Sequence, residues 1–517
     1  MTSSSRPLKA IKKAIMNKQS QVTAFSSTAI ALYGYDQGMM SLVNTNFNYL
    51  STMGITEESP LVAVIVSIYY VGCAIGAILA SRFADKRGRK PSMFACLVTS
   101  CIGNLLMFLA GLGYSRGALF VMLTGRFVMG LGVGGIDSVV PLYSSELHDS
   151  DERGKAMAQE FQANILGLNL AFGLNLFVTR TLGKSNQWAW RSPIIAMQVF
   201  PVMLIAFISR LPESPRWLIS KEKDEKAKEA LSEIYDEGDV DDELKTLTKA
   251  RDDSSDEKIG YSDMLSPQGS QFHPTMLTIM GQVNQALTGY GCISVYGPQV
   301  FELLGFNVVD AEFITLGNYM FYLLMMTVAW MTIDVLGRRK LMVWGSIVLV
   351  SSFLLLTVFG ALISEQSINV PRLPFSIIGA TGLYIATSAF GIGWLSQPWL
   401  IPTETYPSEA RAQGTAISVI VWGIMNFAVT FLSPILFNNL KYWIFLIFAA
   451  SNSFAGVWTW LYSPETGGRS FEENVRFFED ASEHKTWRVH KINDKEFVSM
   501  PKEKGEEGGE RQPLLDN

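Results

Sequence analysis

Residues 61–80 read LVAVIVSIYYVGCAIGAILA, a run without one charged side chain. A bilayer hydrocarbon core about 30 Å thick needs about 20 consecutive, mostly apolar residues to cross it as a helix. Every backbone N–H and C=O inside it must find a partner within the protein, which leaves only helices and closed barrels. Residues 341–363 repeat the pattern, and the composition agrees: 48% of residues are hydrophobic and 17% charged, with the charges gathered in a few stretches. A soluble chain of this length needs more charged surface.

The same reading predicts twelve spans, near 22–43, 61–81, 92–112, 118–141, 156–178, 190–211, 274–297, 310–333, 341–363, 375–401, 412–437 and 442–462. The first lies too far from the N-terminus, and is too polar, for a cleaved signal peptide. The expected fold is an all-α membrane protein in two six-helix bundles, 22–211 and 274–462. Residues 1–21 precede the first bundle, 212–273 link the two, and a tail, 463–517, follows. Lys9, Lys12, Lys13 and Lys18, the stretch from Arg82 to Lys90 and the stretch from Arg338 to Lys340 all lie at one end of the spans, whereas loops 44–60 and 298–309 carry no Lys or Arg. The positive-inside rule therefore puts both termini in the cytoplasm.

The linker, with KEKDEKAKEALSEIYDEGDVDDELKTLTKA, reads as cytoplasmic helices joining the bundles, a plain solvated charged face being the alternative. Residues 481–517 lack periodicity and are expected to be disordered. Cys73, Cys96, Cys101 and Cys292 all fall within apolar spans, where they act as small hydrophobes and imply neither disulfides nor a metal site. No basic cluster with interleaved aromatics points to nucleic acid. No nucleophile and base pair, metal cluster or phosphate loop points to an enzyme.

The two halves repeat one another. Asp85-Lys-Arg-Gly-Arg-Lys90 is matched by Asp334-Val-Leu-Gly-Arg-Arg339, Glu146 and Arg153 by Glu404 and Arg411 at the same spacing, and Pro212-Glu-Ser by Pro464-Glu-Thr. Gly34-Tyr35-Asp36 has its counterpart in Gly289-Tyr290-Gly291. The carboxylates Asp85, Glu146, Asp334 and Glu404 and the arginines Arg89, Arg153, Arg338 and Arg411 sit where they can bridge the cytoplasmic edges of the halves. Exposed bridges contribute about 1 kcal/mol or less each, so they would form a weak, releasable latch.

Asp36 is an acid inside a span, which by default marks function. At 1.5 Å per residue it lies roughly 21 Å above the cytoplasmic side, and Arg126, entering from outside, lies roughly 12 Å down a core about 30 Å thick, so the two can meet. Asp137, three turns from Arg126, is expected near the cytoplasmic end and hydrated.

These motifs, with Gly34-Tyr-Asp-Gln-Gly38, Gly125-Arg-Phe127, Pro141-Leu-Tyr-Ser-Ser-Glu146, Pro212-Glu-Ser-Pro-Arg-Trp-Leu218, Gly391-Ile-Gly-Trp394 and Pro464-Glu-Thr466, make the chain similar to the sugar porter family of the major facilitator superfamily over nearly all of 22–480. The resemblance implies two bundles rocking about a central site. In proton-coupled members the Asp of the Gly-Tyr-Asp motif carries the proton and the Arg of Gly-Arg-Phe tunes it. Asp36 and Arg126 are therefore expected to couple transport to a proton, with no other cofactor; a permanent bridge between spans 1 and 4 is the alternative.

Carried over by position, Gln285, Trp399 and Asn426 fall where the family contacts sugar, with Gln282 beside them. Departures are expected to reshape the site. Phe161, next to Gln162, stands where the family has Gln; Ala286, Gly291 and Tyr322 also replace amides, and Trp422-Gly423 stands for Asn-Trp. With Tyr290, these substitutions favour a cargo other than glucose: a sugar, polyol or related small polar molecule, or else a more apolar metabolite. A non-transporting nutrient receptor is a further alternative. Glu510-Arg-Gln-Pro-Leu514-Leu515 looks like an acidic dileucine signal for a sorting adaptor, so a plasma-membrane location is expected first and an endosomal or vacuolar one second.

Overall fold

The computed structural model describes residues 18–56, 59–112, 117–148, 153–235, 240–252, 259–267, 269–364, 372–467, 471–483, 488–492 and 495–498. The spans, numbered in chain order, are span 1 (Lys18–Val43), 2 (Pro60–Arg87), 3 (Arg89–Leu109), 4 (Ala118–Leu147), 5 (Arg153–Leu182), 6 (Gln187–Ala196 with Val199–Phe207), 7 (Phe272–Leu287 with Tyr290–Val295), 8 (Val308–Leu336), 9 (Arg338–Ser364), 10 (Arg372–Phe390 through Gln397–Thr405), 11 (Ser408–Leu440) and 12 (Ile444–Tyr462). Most run several residues beyond the apolar stretch at the end bearing the duplicated loops, here the basic end. Ten of the described helices are long and apolar enough to cross a membrane. The two others, spans 1 and 7, are the polar one carrying Asp36 and the one broken at Thr288–Gly289, where Gly289 takes φ +86°.

Span 1 packs on span 5, span 3 on span 4, and span 9 on spans 10 and 12. The halves meet along two seams, span 5 against span 8 and span 11 against span 2. Spans 2 and 8, like spans 5 and 11, hold equivalent places in the repeat, so the seams are related by it.

Proline sets the local shape of the second half, and span 7 repairs what proline leaves open. A proline has no N–H to offer the carbonyl four residues before it. Pro398, Pro402 and Pro434 therefore deprive the carbonyls of Trp394, Pro398 and Thr430 of their helical donors. Span 10 answers with a wide turn over Gly391–Leu395. Gln285 Nε2 donates to the carbonyls of Trp394 and Leu395 at 2.7 and 2.8 Å. Gln282 Nε2 donates to that of Pro398 at 3.3 Å, and the hydroxyl of Tyr296, just past span 7, to that of Thr430 at 3.2 Å.

At the basic end each half carries the same clamp. Arg89 binds Glu146 through two nitrogens, at 2.9 and 3.1 Å, and Asp85 at 3.3 Å. In the repeat Arg338 binds Glu404 and Asp334, both at 2.9 Å. Glu213 accepts from the backbone N–H of Arg89 and Lys90, and Glu465 from those of Arg338 and Arg339, so a carboxylate caps the positive N-terminus of span 3 and of span 9. Gly88 and Gly337, at φ +109° and +85°, make the approach: a Cβ there would stand 2.5 Å from Glu213 Oε2 and 2.3 Å from Glu465 Oε2.

The clamp corrects the expected exposed latch. Arg89 and Arg338 are buried, and each ties helix ends within its own half, because the i, i+4 geometry turns each arginine toward the fourth or tenth span of that half. Glu404 is held by Arg338 and by Thr466 Oγ1 at 2.6 Å, while Arg411 donates to the Tyr406 carbonyl. The side chain of Arg153 lies outside the described residues.

The linker forms helices as expected: Pro215–Ser220, Asp224–Ile234, Val240–Asp252 and Tyr261–Leu265. The first three share a small core around Trp217, Ala227, Leu231 and Leu247, and Trp217 Nε1 donates to the Asp85 carbonyl. The tail departs from the expected disorder. Phe471–Glu483 is a helix whose Phe478 packs on His273, and Val489–Ile492 pairs antiparallel with Lys495–Val498. Lys9, Lys12, Lys13 and the Glu510, Leu514, Leu515 signal lie outside the described residues.

Two predictions follow from burial. Arg338→Ala strands the Glu404 carboxylate and is expected to cost about 3–5 kcal/mol, whereas Asp334→Asn, at a partly exposed position, costs about 1 kcal/mol or less. Thermal unfolding of the purified variants in detergent reads both, and equal losses would contradict this assignment. Gln285→Leu leaves the Trp394 and Leu395 carbonyls without their side-chain donor and is expected to destabilise by about 1–3 kcal/mol in the same assay.

Candidate functional site

Asp36 and Arg126 do meet. Arg126 Nη1 lies 2.5 Å from Asp36 Oδ1, with both side chains 2% exposed. Span 2 completes the site: Arg126 Nε and Nη2 donate to the carbonyls of Ile65 and Val66 at 3.2 Å, and its guanidinium lies 4.7 Å from the Tyr69 ring centroid. The arginine thus has three fixed partners, and Asp36 is the charged one.

The expected cargo contacts lie between the halves, each doing a structural task. Gln282 and Gln285 use their amide donors on span 10 as described, and Gln282 also reaches Ser418 Oγ on span 11 at 2.7 Å. The buried Gln282 Oε1 has no protein partner among the described residues. Asn426 Nδ2 turns back on the Trp422 carbonyl of its own helix. Gln162 crosses the seam to Thr327 Oγ1 at 2.9 Å and the Leu323 carbonyl at 3.3 Å.

Aromatic rings fill the centre. Phe161 packs on Trp399 and Trp399 on Trp422, both with centroids 5.6 Å apart, and Trp422 meets Tyr33 and Tyr70 at 5.2 and 5.3 Å. Tyr290 stacks on Phe390 at 4.2 Å and meets Tyr322 edge-on at 5.2 Å. The departures from the family pattern fit one another. A Cβ at Gly291 would come 3.0 Å from Asn426 Oδ1, and the Tyr322 ring occupies the space above Gly391. Where amides are lost, neighbouring side chains have closed in.

The halves also touch at both ends. At the basic end Gln413 Nε2 of span 11 donates to Asp85 at 3.1 Å, and the backbone N–H of Lys155 of span 5 donates to Asp334 at 2.9 Å. Lys155 and Gln413 each lie two residues beyond the repeated arginines Arg153 and Arg411, so the contacts are counterparts. At the opposite end Arg180 and Lys184 reach Glu312 of span 8 at 2.5 and 3.2 Å. With both ends joined and the centre buried, the arrangement is occluded.

Two acids fall outside the expectations. Asp137, expected to be hydrated, is 3% exposed, and neither carboxylate oxygen has a hydrogen-bond partner among the described residues. Glu160, fully buried in span 5, accepts from Ser144 Oγ and went unread, although an acid inside a span is the same signal that marks Asp36.

Residues 21–478 match the family described as sugar (and other) transporter. A sugar transporter of Saccharomyces cerevisiae, STL1, is 29% identical over 489 residues, covering 90% of this chain and 83% of its own. The major myo-inositol transporter IolT of Bacillus subtilis is 28% identical over 91% of this chain and 98% of its own. Among solved structures, the proton:xylose symporter XylE bound to 6-bromo-6-deoxy-D-glucose superposes with a TM-score of 0.76 at 22% identity, covering 89% of this chain and 99% of that one. An inward-open form of XylE from E. coli gives 0.68. The fold is the twelve-helix major facilitator fold, its relatives are transporters and not enzymes, and the chain belongs to the sugar porter family of that superfamily.

Proposed function

We propose that this membrane transporter moves a sugar, polyol or related small polar molecule together with a proton, its two halves rocking so that the central site opens to each side in turn. The observation that carries the coupling is the pair of Asp36 and Arg126, buried between spans 1, 2 and 4. An ionised carboxylate is stable there only while its arginine is beside it. A movement that separates them favours protonation, and their return releases the proton. The symporter named among the structural neighbours supports this reading.

In this reading the basic end faces the cytoplasm, as the distribution of Lys and Arg requires, and the plasma membrane is the first location to test. The proton drive suffices for uphill uptake. A membrane potential of ~100 mV contributes about 2.3 kcal/mol per charge and one pH unit about 1.4 kcal/mol, together several hundredfold at one proton per cargo molecule.

The aromatic centre favours a second reading for the cargo. Phe161, Tyr290, Tyr322, Phe390, Trp399 and Trp422 offer faces more than donors, and the amides of Gln282 and Gln285 are already engaged. Such a site suits a molecule with fewer hydroxyls than glucose, or a more apolar metabolite.

Uptake of labelled glucose, xylose, glycerol and myo-inositol into cells lacking their own carriers, at acidic and neutral pH, tests the cargo class. Accumulation of none of the four would sink the polar-cargo reading. For coupling, Asp36→Asn is expected to lower pH-driven accumulation from several hundredfold to equilibration, leaving exchange of labelled for unlabelled cargo within about threefold of the original. Undiminished accumulation by that variant would rule Asp36 out as the carrier.

A further inference from the structure

Away from its two ends, the interior of the first half buries three acids among its described residues, Asp36, Asp137 and Glu160, against one arginine, Arg126. Arg126 neutralises Asp36. A carboxylate in an apolar interior without a cation or a hydrogen-bond donor does not keep its charge; it takes up a proton. Asp137 is the clearest case, because both of its oxygens are bare of protein donors.

Its surroundings offer no cation. The phenol of Tyr33 on span 1 and the phenol of Tyr69 and thiol of Cys73 on span 2 lie within electrostatic reach. From span 3, Cys96 packs beside Gly135. The nearest acid on span 5 is Glu160, and Arg411 of span 11 lies lower, beside Glu146. Glu404 of span 10 is already bound to Arg338.

The position of Asp137 is ordered as well. At about 100° per residue, Arg126, Asp137, Ser144 and His148 fall within about 40° of one another on a single face of span 4, descending from the buried pair to the basic end. Pro141 lies between them and withdraws the helical donor from the Asp137 carbonyl, loosening the helix at that turn. Below Asp137 a hydrogen-bonded chain is in place. Ser144 Oγ donates to Glu160, His148 Nδ1 lies 2.8 Å from the Ser144 carbonyl, and His148 Nε2 lies 2.9 Å from Thr23 Oγ1, which donates to the Gln19 carbonyl at 3.0 Å. Oxygen faces both ring nitrogens of His148, so the ring gains a hydrogen bond on taking a second proton.

We propose that Asp137 is a second proton-binding carboxylate and that, with Glu160, Ser144 and His148, it forms a path along span 4 by which a proton leaving Asp36 reaches the basic end. The path rests on the coupling reading; the proton on Asp137 does not. No bond other than those to the travelling proton is made or broken.

The test uses the full-length protein in lipid vesicles and difference infrared spectroscopy between acidic and alkaline pH, which reports the carbonyl stretch of protonated carboxyls without any cargo. The original protein is expected to show a band that Asp137→Asn removes, Asp36→Asn leaves and Asp137→Glu shifts. If no such band is lost from Asp137→Asn at any pH, the proposal is overturned, as it would be by an Asp137 that stays ionised to receive a cationic cargo. A spectrum in which Asp137 titrates and Asp36 does not would overturn the coupling reading alone. After a rapid pH change on the basic side, His148→Gln is expected to slow the rise of the Asp137 band at least tenfold, and unchanged kinetics would remove His148 from the path.

Discussion

A charge carried into the membrane interior has to be neutralised where it stands, and the arrangement of this protein follows from how each buried charge meets that demand. Arg89 takes Glu146, Arg338 takes Glu404, and Arg126 takes Asp36. The first two are copies of one clamp and hold each half together at the basic end. Breaking such a buried pair costs about 3–5 kcal/mol. The bonds between halves at that end, Gln413 to Asp85 and the Lys155 N–H to Asp334, are single hydrogen bonds of about 1 kcal/mol each. Strong ties within halves and weak ones between them are what two bodies rocking against each other require.

Span 7 shows how closely the cargo region is tied to folding. Gln282, Gln285 and Tyr296 occupy carbonyls that Pro398, Pro402 and Pro434 leave open, so the break and bend of spans 10 and 11 are held by the side chains placed at the centre of the transport path. A cargo hydroxyl arriving there finds the amide donors engaged and the Gln282 oxygen unpartnered. Selection then rests on ring faces and on the few acceptors left, which explains why substitutions that remove amides elsewhere in the site coincide with rings that close the gap.

The sequence reveals those features that depend on a linear count along a helix. The meeting of Asp36 and Arg126 is legible because depth is residue number times rise, and the duplicated clamp is legible because it occurs twice. Features that depend on which way a helix turns are not legible in the same way. Arg89 and Arg338 stand at the ends of spans and read as exposed, yet i, i+4 geometry and the capping carboxylates Glu213 and Glu465 turn them inward. Asp137 was placed by its distance from the membrane edge, but burial there is decided by how tightly spans 1, 2 and 4 pack, which no single helix carries. The tail helix is short, and its contact with span 7 comes from Phe478 reaching His273, a pairing invisible along the chain.

The repeat also locates where coupling has to occur. Asp36 has Gly291 as its counterpart, so the buried acids sit in the first half, while Gln282, Gln285 and Asn426 sit in the second. A proton bound in one half can govern a cargo held in the other only through contacts that cross between them. Near the centre those are Tyr33 with Trp422, Phe161 with Trp399, and Gln162 with Thr327. Tyr33 is the most direct: it lies one turn from Asp36, its hydroxyl accepts from Gln37 at 2.6 Å, and its ring rests on the tryptophan that also touches Trp399. On the coupling reading, separation of Asp36 from Arg126 displaces span 1, and the edge of the Tyr33 ring carries that displacement to span 11. The link between proton and cargo is therefore a packed aromatic contact, and its strength depends on shape and not on charge.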